Sequence, residues 1–102
     1  MSQILNDDFI FLVLSIVEEI PFGKVATYGQ IANLANRPKN SRLIGKILKM
    51  SDYYGDYPCH RVVNFNGRLA PFFDEQKELL ESENITFIDD THVDLKKHKW
   101  EV

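Results

Sequence analysis

Apolar residues recur every three or four positions near the amino terminus, and this spacing predicts a helix from Asp7 or Asp8 to about Glu19. Either aspartate can cap the first turn, and Pro21 with Gly23 ends the helix. The predicted apolar stripe comprises Phe9, Leu12, Val13, Ile16 and Val17.

Two shorter helices follow. The stretch TYGQIANLA begins with Thr27 and Gln30 in the spacing of a capping box, in which each side chain bonds the backbone N–H of the other residue. We expect Pro38 to end that helix and Asn40 or Ser41 to cap the next, RLIGKILKM. Two short helices joined by a tight turn are typical of a helix-turn-helix.

The second half of the chain is less periodic. The segment RVVNFNGRLA contains Asn66-Gly67, a dipeptide that tolerates the positive φ angles of a tight turn, and it predicts a hairpin. DEQKELLESE predicts a further helix, and ITFIDDTHVDLKKHKW one strand and a short helical end. We therefore predict a single domain over residues 1–102, mainly α with a small β-hairpin, of the winged helix-turn-helix class.

Composition excludes several classes of protein. With 102 residues, 44% hydrophobic and 26% charged, the chain has the balance of one soluble domain. The longest apolar run, FIFLVLSIV, is too short to span a bilayer, and we expect a cytoplasmic protein without an export signal. One cysteine and three scattered histidines give no zinc-ligand spacing, so we expect no metal and no cofactor.

Charge is distributed unevenly along the chain. The net charge is −3, yet residues 20–69 carry eight basic and two acidic residues, a local net charge of +6. Both flanking segments are acidic. A one-sided basic field is the usual footprint of phosphate binding, although uneven surface charge alone is common.

The predicted second helix of the helix-turn-helix concentrates this charge. Leu43, Ile44, Ile47 and Leu48 form its apolar stripe, and the opposite face carries Arg42, Gly45, Lys46 and Lys49. A glycine inside a helix costs about 1 kcal/mol relative to alanine. Either tight helix–helix contact or close approach of a DNA backbone would explain Gly45, and the sequence leaves both interpretations open.

The only cysteine lies in DYPCHRVV. A lone cysteine is usually buried and inert. Cys59, however, follows Pro58 and precedes His60 and Arg61, which are poor neighbours for an apolar pocket. This setting favours a reactive thiol.

The segments GKVATYGQIANLA, RPKNSRLIGKIL, YPCHRVV with NGRL after it, and KELLESENI resemble the carboxy-terminal domain of O6-alkylguanine-DNA alkyltransferases. The resemblance runs from about residue 8 to the end, so we expect this chain to correspond to that domain alone. Its compact format is also typical of alkyltransferase-like proteins. Those proteins bind alkylated DNA without repairing it and usually carry another residue at the cysteine position.

The resemblance implies specific catalytic roles. Cys59 would attack the alkyl carbon on guanine O6. His60 would act as base through a water, because adjacent side chains on an extended segment point to opposite sides. Glu83 would orient His60, which completes a nucleophile–base–orienter arrangement.

The same resemblance implies contacts with double-stranded DNA that contains O6-alkylguanine. Tyr28 would help to rotate the damaged nucleotide and donate to the leaving guanine, and Arg42 would fill the gap in the stack. The expected DNA-binding residues are Tyr28, Arg42, Gly45, Lys46, Lys49, Ser51 and Arg61.

Two segments depart from the family pattern. Ser51-Asp52 replaces an Asn-Pro pair, and APFFDE replaces a glycine-rich loop that shapes the guanine pocket. Phe72 and Phe73 could narrow that pocket, but we expect at least one of them to lie in the core.

Our leading hypothesis from the sequence is a monomeric, single-turnover methylated-DNA–protein-cysteine methyltransferase. The alternative is a damage sensor that flips alkylguanine without transfer and recruits excision-repair proteins. A winged-helix transcriptional regulator would explain the basic helix but not Pro-Cys-His-Arg-Val.

Overall fold

The computed structural model describes residues 6–102, and its first element is helix α1, Asp7–Glu18. The expected aspartate cap is wrong by one position, because the side chain of Asn6 accepts the bond from the Phe9 N–H at 2.8 Å. Asp7 and Asp8 lie instead in the first turn, where negative charge complements the helix dipole.

The remaining elements are short. They are β1 (Ala26–Thr27), α2 (Tyr28–Leu34), α3 (Ser41–Lys49), 3₁₀ turns at Ser51–Tyr53 and Cys59–Arg61, β2 (Val62–Val63), α4 (Gln76–Glu81), β3 (Phe87–Asp89), β4 (His92–Val93) and α5 (Leu95–His98). The prediction of a mainly helical fold with a helix-turn-helix and a small hairpin is confirmed.

Helices α2 and α3 form the helix-turn-helix. Thr27 and Gln30 make both bonds of the predicted capping box. The end of α2 precedes Pro38: Asn36 adopts φ 63°, and the N–H groups of Asn36 and Arg37 bond back to carbonyls inside the helix. Asn40 precedes α3 without a side-chain capping bond.

Strands β1 and β2 pair in parallel, with Ala26 opposite Val62 and Thr27 opposite Val63. The tight turn predicted at Asn66-Gly67 forms, with Gly67 at φ 91° and bonds from the Gly67 N–H to the Asn64 carbonyl and from the Asn64 N–H to the Arg68 carbonyl. The runs on either side of it are not paired as strands with each other, because Val62-Val63 pairs with β1 and Arg68 bridges to His92. The antiparallel hairpin lies further on, between β3 and β4.

Two groups of buried apolar side chains hold these elements. The larger joins α1, α2 and α3 through residues such as Val13, Ile31 and Ile47, and the smaller packs around Leu80 and Val93. The β1–β2 pair contributes to both, because Ala26 and Val62 face the first group and Val63 faces the second. Among residues 6–102, no helix is long and apolar enough to cross a membrane.

The carboxy-terminal segment is hydrogen-bonded to Val25 and to helix α2. The Trp100 N–H donates to the Val25 carbonyl at 2.7 Å, and Val25 in turn donates to His98. The Gln30 amide donates to the Trp100 carbonyl at 2.7 Å. Gln30 thus caps α2 and also fixes it to the end of the fold.

Candidate functional site

A cavity of about 800 Å³ lies beside Cys59, which we call the Cys59 cavity. Its volume is within the range of pockets that hold a small organic ligand. Of the expected catalytic and DNA-binding residues, six line it: Tyr28, Lys49, Ser51, Cys59, His60 and Arg61. These residues come from four places along the chain: the start of α2, the end of α3, the 3₁₀ turn that begins at Ser51 and the Cys59–Arg61 turn.

The thiol of Cys59 is half-buried and donates a hydrogen bond to the Ser51 hydroxyl at 3.3 Å. Burial raises the pKa of the Cys59 thiol, and the hydrogen bond with Ser51 acts in the opposite direction. The carboxylates of Asp52 and Asp56 raise this pKa further, so the net shift is upward. The resting thiol is therefore mostly protonated, which lowers its reactivity as a nucleophile.

His60 is held by Glu83, as predicted: His60 Nε2 lies 2.7 Å from Glu83 Oε2. The expectation that residues 59 and 60 lie on an extended segment is wrong, because Cys59–Arg61 form a 3₁₀ turn. The Pro58 carbonyl closes this turn by accepting the N–H of Arg61 at 3.0 Å. Both Cys59 and His60 line the cavity.

Arg61 is held by hydrogen bonds inside the protein. Its Nε and Nη2 donate to Glu83 at 2.9 to 3.0 Å, and its Nη1 donates to the Ile20 carbonyl at 2.8 Å. All three guanidinium nitrogens are thus used inside the protein. Arg61 thereby positions Glu83, and its expected contact with DNA stays a prediction.

Glu83 is the centre of this network, with its side chain only 5% exposed. It also accepts the Gly23 N–H at 3.0 Å. Burial raises the pKa of Glu83, but bonds from Arg61, Gly23 and His60 together outweigh it and leave the pKa below its usual value. The ionised carboxylate fixes the His60 ring beside the cavity.

Tyr28 lies at the start of α2 and is half-buried between α3 and the Cys59 cavity. Burial raises the pKa of the Tyr28 hydroxyl, and the nearby Cys59 raises it further. The phenol therefore stays protonated and can donate a hydrogen bond to a ligand in the cavity.

A second depression, of about 660 Å³, follows the polar face of α3, and we call it the α3 groove. It is lined by Arg42, Gly45, Lys46 and Lys49 from α3, by Tyr28 and Gly29 from α2, and by residues of the loop after β2. Arg42, Lys46 and Lys49 are exposed. The groove combines backbone access at two glycines with positive charge, which suits a phosphate-bearing strand.

The space around Gly45 separates the two interpretations that the sequence left open. A Cβ built at Gly45 would lie 3.8 Å from the Tyr28 ring, an ordinary van der Waals distance. Crowding between helices thus does not require glycine here. The other interpretation, close approach of a DNA backbone, stays a prediction.

Gln76 supports the site, although no sequence pattern singles it out. Its side chain is fully buried, accepts the Ala70 N–H at 2.8 Å and donates to the carbonyls of His60 and Val62 at 3.0 and 2.9 Å. It therefore links the backbone on two sides of the cavity. A glutamine near the start of a helix is ordinarily exposed, and no local pattern distinguishes this one.

The segment that replaces the glycine-rich loop forms part of the cavity wall. Phe72 is 53% exposed and Phe73 is half-buried, and both line the Cys59 cavity. Neither belongs to the fully buried core, contrary to the expectation for at least one of them. Glu75, directly before α4, and Leu79 of α4 complete this wall of the cavity.

Comparison with known proteins places this geometry in a family. Residues 8–85 match the model of the DNA binding domain of 6-O-methylguanine DNA methyltransferase. A DNA base-flipping protein of Vibrio parahaemolyticus is 35% identical over 98 residues, which cover 93% of this chain and 98% of that protein.

A solved structure and a further relative agree with this match. The Schizosaccharomyces pombe protein Atl1, in complex with damaged DNA containing O6-carboxymethylguanine, superimposes with a TM-score of 0.88 at 30% identity, over 97% of this chain and 100% of that one. A methylated-DNA–protein-cysteine methyltransferase of Methanocaldococcus jannaschii is 39% identical over 83 residues, 79% of this chain but 48% of the enzyme. The chain belongs to the family defined by the DNA binding domain of 6-O-methylguanine DNA methyltransferase.

Proposed function

We propose that the protein recognises O6-alkylguanine in double-stranded DNA by rotating the damaged nucleotide out of the helix and into the Cys59 cavity. The observation that carries the proposal is that the α3 groove and the Cys59 cavity adjoin. The basic α3 groove and the Cys59 cavity share Tyr28, Lys49, Ala70 and Phe72 in their walls. A strand bound along α3 would therefore lie beside an opening that can receive a base.

The groups at this junction fit the task. Arg42 is exposed on the face of α3 that lines the groove, where its guanidinium can occupy the gap left in the base stack. The Tyr28 phenol, kept protonated, can donate to an acceptor on the extruded base. The names of the relatives, a DNA base-flipping protein and a complex with an O6-alkylated guanine, support the same activity.

Recognition without transfer is favoured by the state of the thiol. Burial, Asp52 and Asp56 raise the pKa of Cys59. The relatives that match over nearly their whole length, in Vibrio parahaemolyticus and in Schizosaccharomyces pombe, are a base-flipping protein and an alkyltransferase-like protein. In this role the complex would be handed to excision-repair proteins in the cytoplasm.

Transfer to Cys59 is the second candidate, and the presence of a thiol in the cavity beside the His60–Glu83 pair favours it. The thiolate sulfur would form a bond to the alkyl carbon while the carbon–O6 bond breaks. The thiol proton would pass to His60 through a water, and the leaving guanine would take a proton from Tyr28. Each protein molecule would react once, because the thioether formed at Cys59 is not converted back to a thiol.

Two measurements test these functions. Fluorescence anisotropy with matched duplexes should show tighter binding to O6-methylguanine than to guanine. Arg42→Ala and Tyr28→Ala should reduce that preference, whereas Lys46→Ala should weaken both duplexes alike and reduce the salt slope by about one. Equal affinity of the native protein for both duplexes would refute recognition.

Intact-protein mass spectrometry after incubation with the same alkylated duplex separates the two candidates. We expect tight binding without a covalent adduct. An added methyl group on the peptide that contains Cys59, absent in Cys59→Ala, would instead establish transfer.

A further inference from the structure

Lys49 and Phe72 touch across the boundary between the α3 groove and the Cys59 cavity. The Lys49 ammonium lies 4.6 Å from the centroid of the Phe72 ring, within the distance of a cation–π contact. Lys49 is the last residue of α3, and Phe72 belongs to the loop between β2 and α4. The contact therefore joins the helix that faces the groove to the loop that forms the outer wall of the cavity.

Lys46, one turn earlier, provides the comparison. Both lysines are exposed on the polar face of α3 and both line the groove. Lys49 alone of the two also lines the Cys59 cavity. The two lysines would be equivalent as phosphate contacts, but only Lys49 lies beside the opening of the Cys59 cavity.

The Phe72 ring lies at the boundary of the two spaces, where a contact with Lys49 can fix its orientation. Its ring is 53% exposed, and it lines both spaces. An exposed aromatic ring on a loop has many accessible rotamers, and fixing one of them lowers the entropy lost when a ligand stacks on it. The ammonium of Lys49 holds the ring by its face, and its three N–H donors leave capacity for a phosphate of the bound strand.

We propose that Lys49 is a specificity-determining positioning residue, which holds the Phe72 ring at the entrance of the Cys59 cavity so that the ring forms a wall for the extruded alkylguanine. This inference rests on the proposed base-flipping function. It predicts that Lys49 contributes to discrimination between damaged and normal DNA, whereas Lys46 contributes only to overall affinity.

The contact can first be tested without DNA. In NMR spectra of the free protein, the ε-methylene protons of Lys49 should be shifted upfield by the Phe72 ring current. That shift should disappear in Phe72→Leu, while the corresponding protons of Lys46 stay unchanged. Unshifted Lys49 protons in the native protein would overturn the proposal, whatever the DNA-binding results.

The functional test compares the ratio of affinities for O6-methylguanine and guanine duplexes. Lys49→Gln should reduce the ratio by about two- to fivefold, the range expected for an exposed cation–π contact. Lys49→Arg should retain the ratio, because a guanidinium also stacks on an aromatic face. Lys46→Gln should lower both affinities and leave the ratio unchanged. Phe72→Leu should reduce the ratio, and adding Lys49→Gln to it should cause little further loss.

The outcomes distinguish failure of this inference from failure of the proposed function. A native protein without any preference for the damaged duplex would refute base-flipping recognition itself. A clear native preference that survives Lys49→Gln, or that falls equally in Lys46→Gln, would refute only the role of Lys49. Additive losses in the double variant would likewise show that Lys49 acts independently of Phe72.

Discussion

The thiol of Cys59 donates to the hydroxyl of Ser51, 3.3 Å away, at the position where the family of repair enzymes carries an asparagine. Ser51 is itself buried at the start of a 3₁₀ turn, so this bond fixes the sulfur relative to the end of α3. The substitution therefore changes the environment of the sulfur directly. Ser51 contributes to the site through Cys59 in this structure, in addition to any contact it makes with DNA.

The raised pKa of Cys59 predicts slow alkylation near neutral pH. The rate of reaction with iodoacetamide should increase with pH and reach half its maximum above the ordinary thiol pKa of about 8.5. Asp52→Asn or Asp56→Asn should move this midpoint down, because each removes a negative charge near the thiolate. Ser51→Ala should move it up, because the thiolate loses a hydrogen bond.

Asp74→Asn, on the exposed loop before α4, is the matched control and should leave the midpoint in place. A native midpoint at or below the ordinary thiol pKa would contradict this description of the site. It would also make transfer the better candidate.

The Glu83 carboxylate should contribute to stability in a pH-dependent way. Its pKa is lowered in the folded protein, so its contribution is present above the unfolded carboxyl pKa of about 4.3 and is lost as the pH falls through the folded value. Glu83→Gln should lower the free energy of unfolding at pH 7 by about 3 kcal/mol, because Arg61 loses its buried ionic partner.

Urea denaturation at pH 7 and pH 4 measures both effects. The difference between the two pH values should be smaller in Glu83→Gln than in the native protein. Glu81→Gln, on the exposed side of α4, should change little. Equal stability of Glu83→Gln and the native protein at pH 7 would mean that the network does not stabilise the fold.

Gly45 offers a test in which stability and binding should move in opposite directions. Since an added Cβ meets only the Tyr28 ring at 3.8 Å, Gly45→Ala should keep or raise the free energy of unfolding, by up to about 1 kcal/mol from helix propensity. The same methyl group would occupy the α3 groove and weaken DNA binding. Thermal denaturation with anisotropy on the same preparation would reveal both. A loss of stability would restore the helix-contact interpretation.

Gln76 should be required for the shape of the cavity. Gln76→Leu would leave the Ala70 N–H without its partner and remove one donor from the carbonyls of His60 and Val62, at a cost of about 1–3 kcal/mol. Glu78→Gln, exposed on the same helix, should cost much less. Urea denaturation measures the cost, and similar values for the two variants would contradict the assignment.

The local features of the fold were predictable because short-range chemistry determines them. Thr27 and Gln30 form a capping box from residues three apart, and the apolar stripe of α3 is buried through Ile44 and Ile47. The two helix ends that were predicted wrongly also have local causes. Asn6 caps α1 in place of the expected aspartate, and α2 ends before Pro38 because Asn36 tolerates positive φ.

Long-range pairings could not be deduced from periodicity. Val62-Val63 has the composition of a strand, but nothing in it indicates a parallel partner at Ala26-Thr27. The same limit applies to Arg61, whose partners Glu83 and Ile20 lie 22 and 41 residues away along the chain and could not be read from its neighbours. The His60–Glu83 pair came from the resemblance to a family, not from spacing.

The bond from Gln30 to the Trp100 carbonyl has a consequence during synthesis. The amino-terminal helices leave the ribosome first, but α2 gains this bond only when residue 100 has cleared the exit tunnel. Val25 likewise gains its bonds to the segment around Trp100 only after that segment has emerged. The growing polypeptide therefore completes the support of its helix-turn-helix only after the carboxy-terminal segment emerges, so a nascent chain stalled earlier would hold this element less firmly.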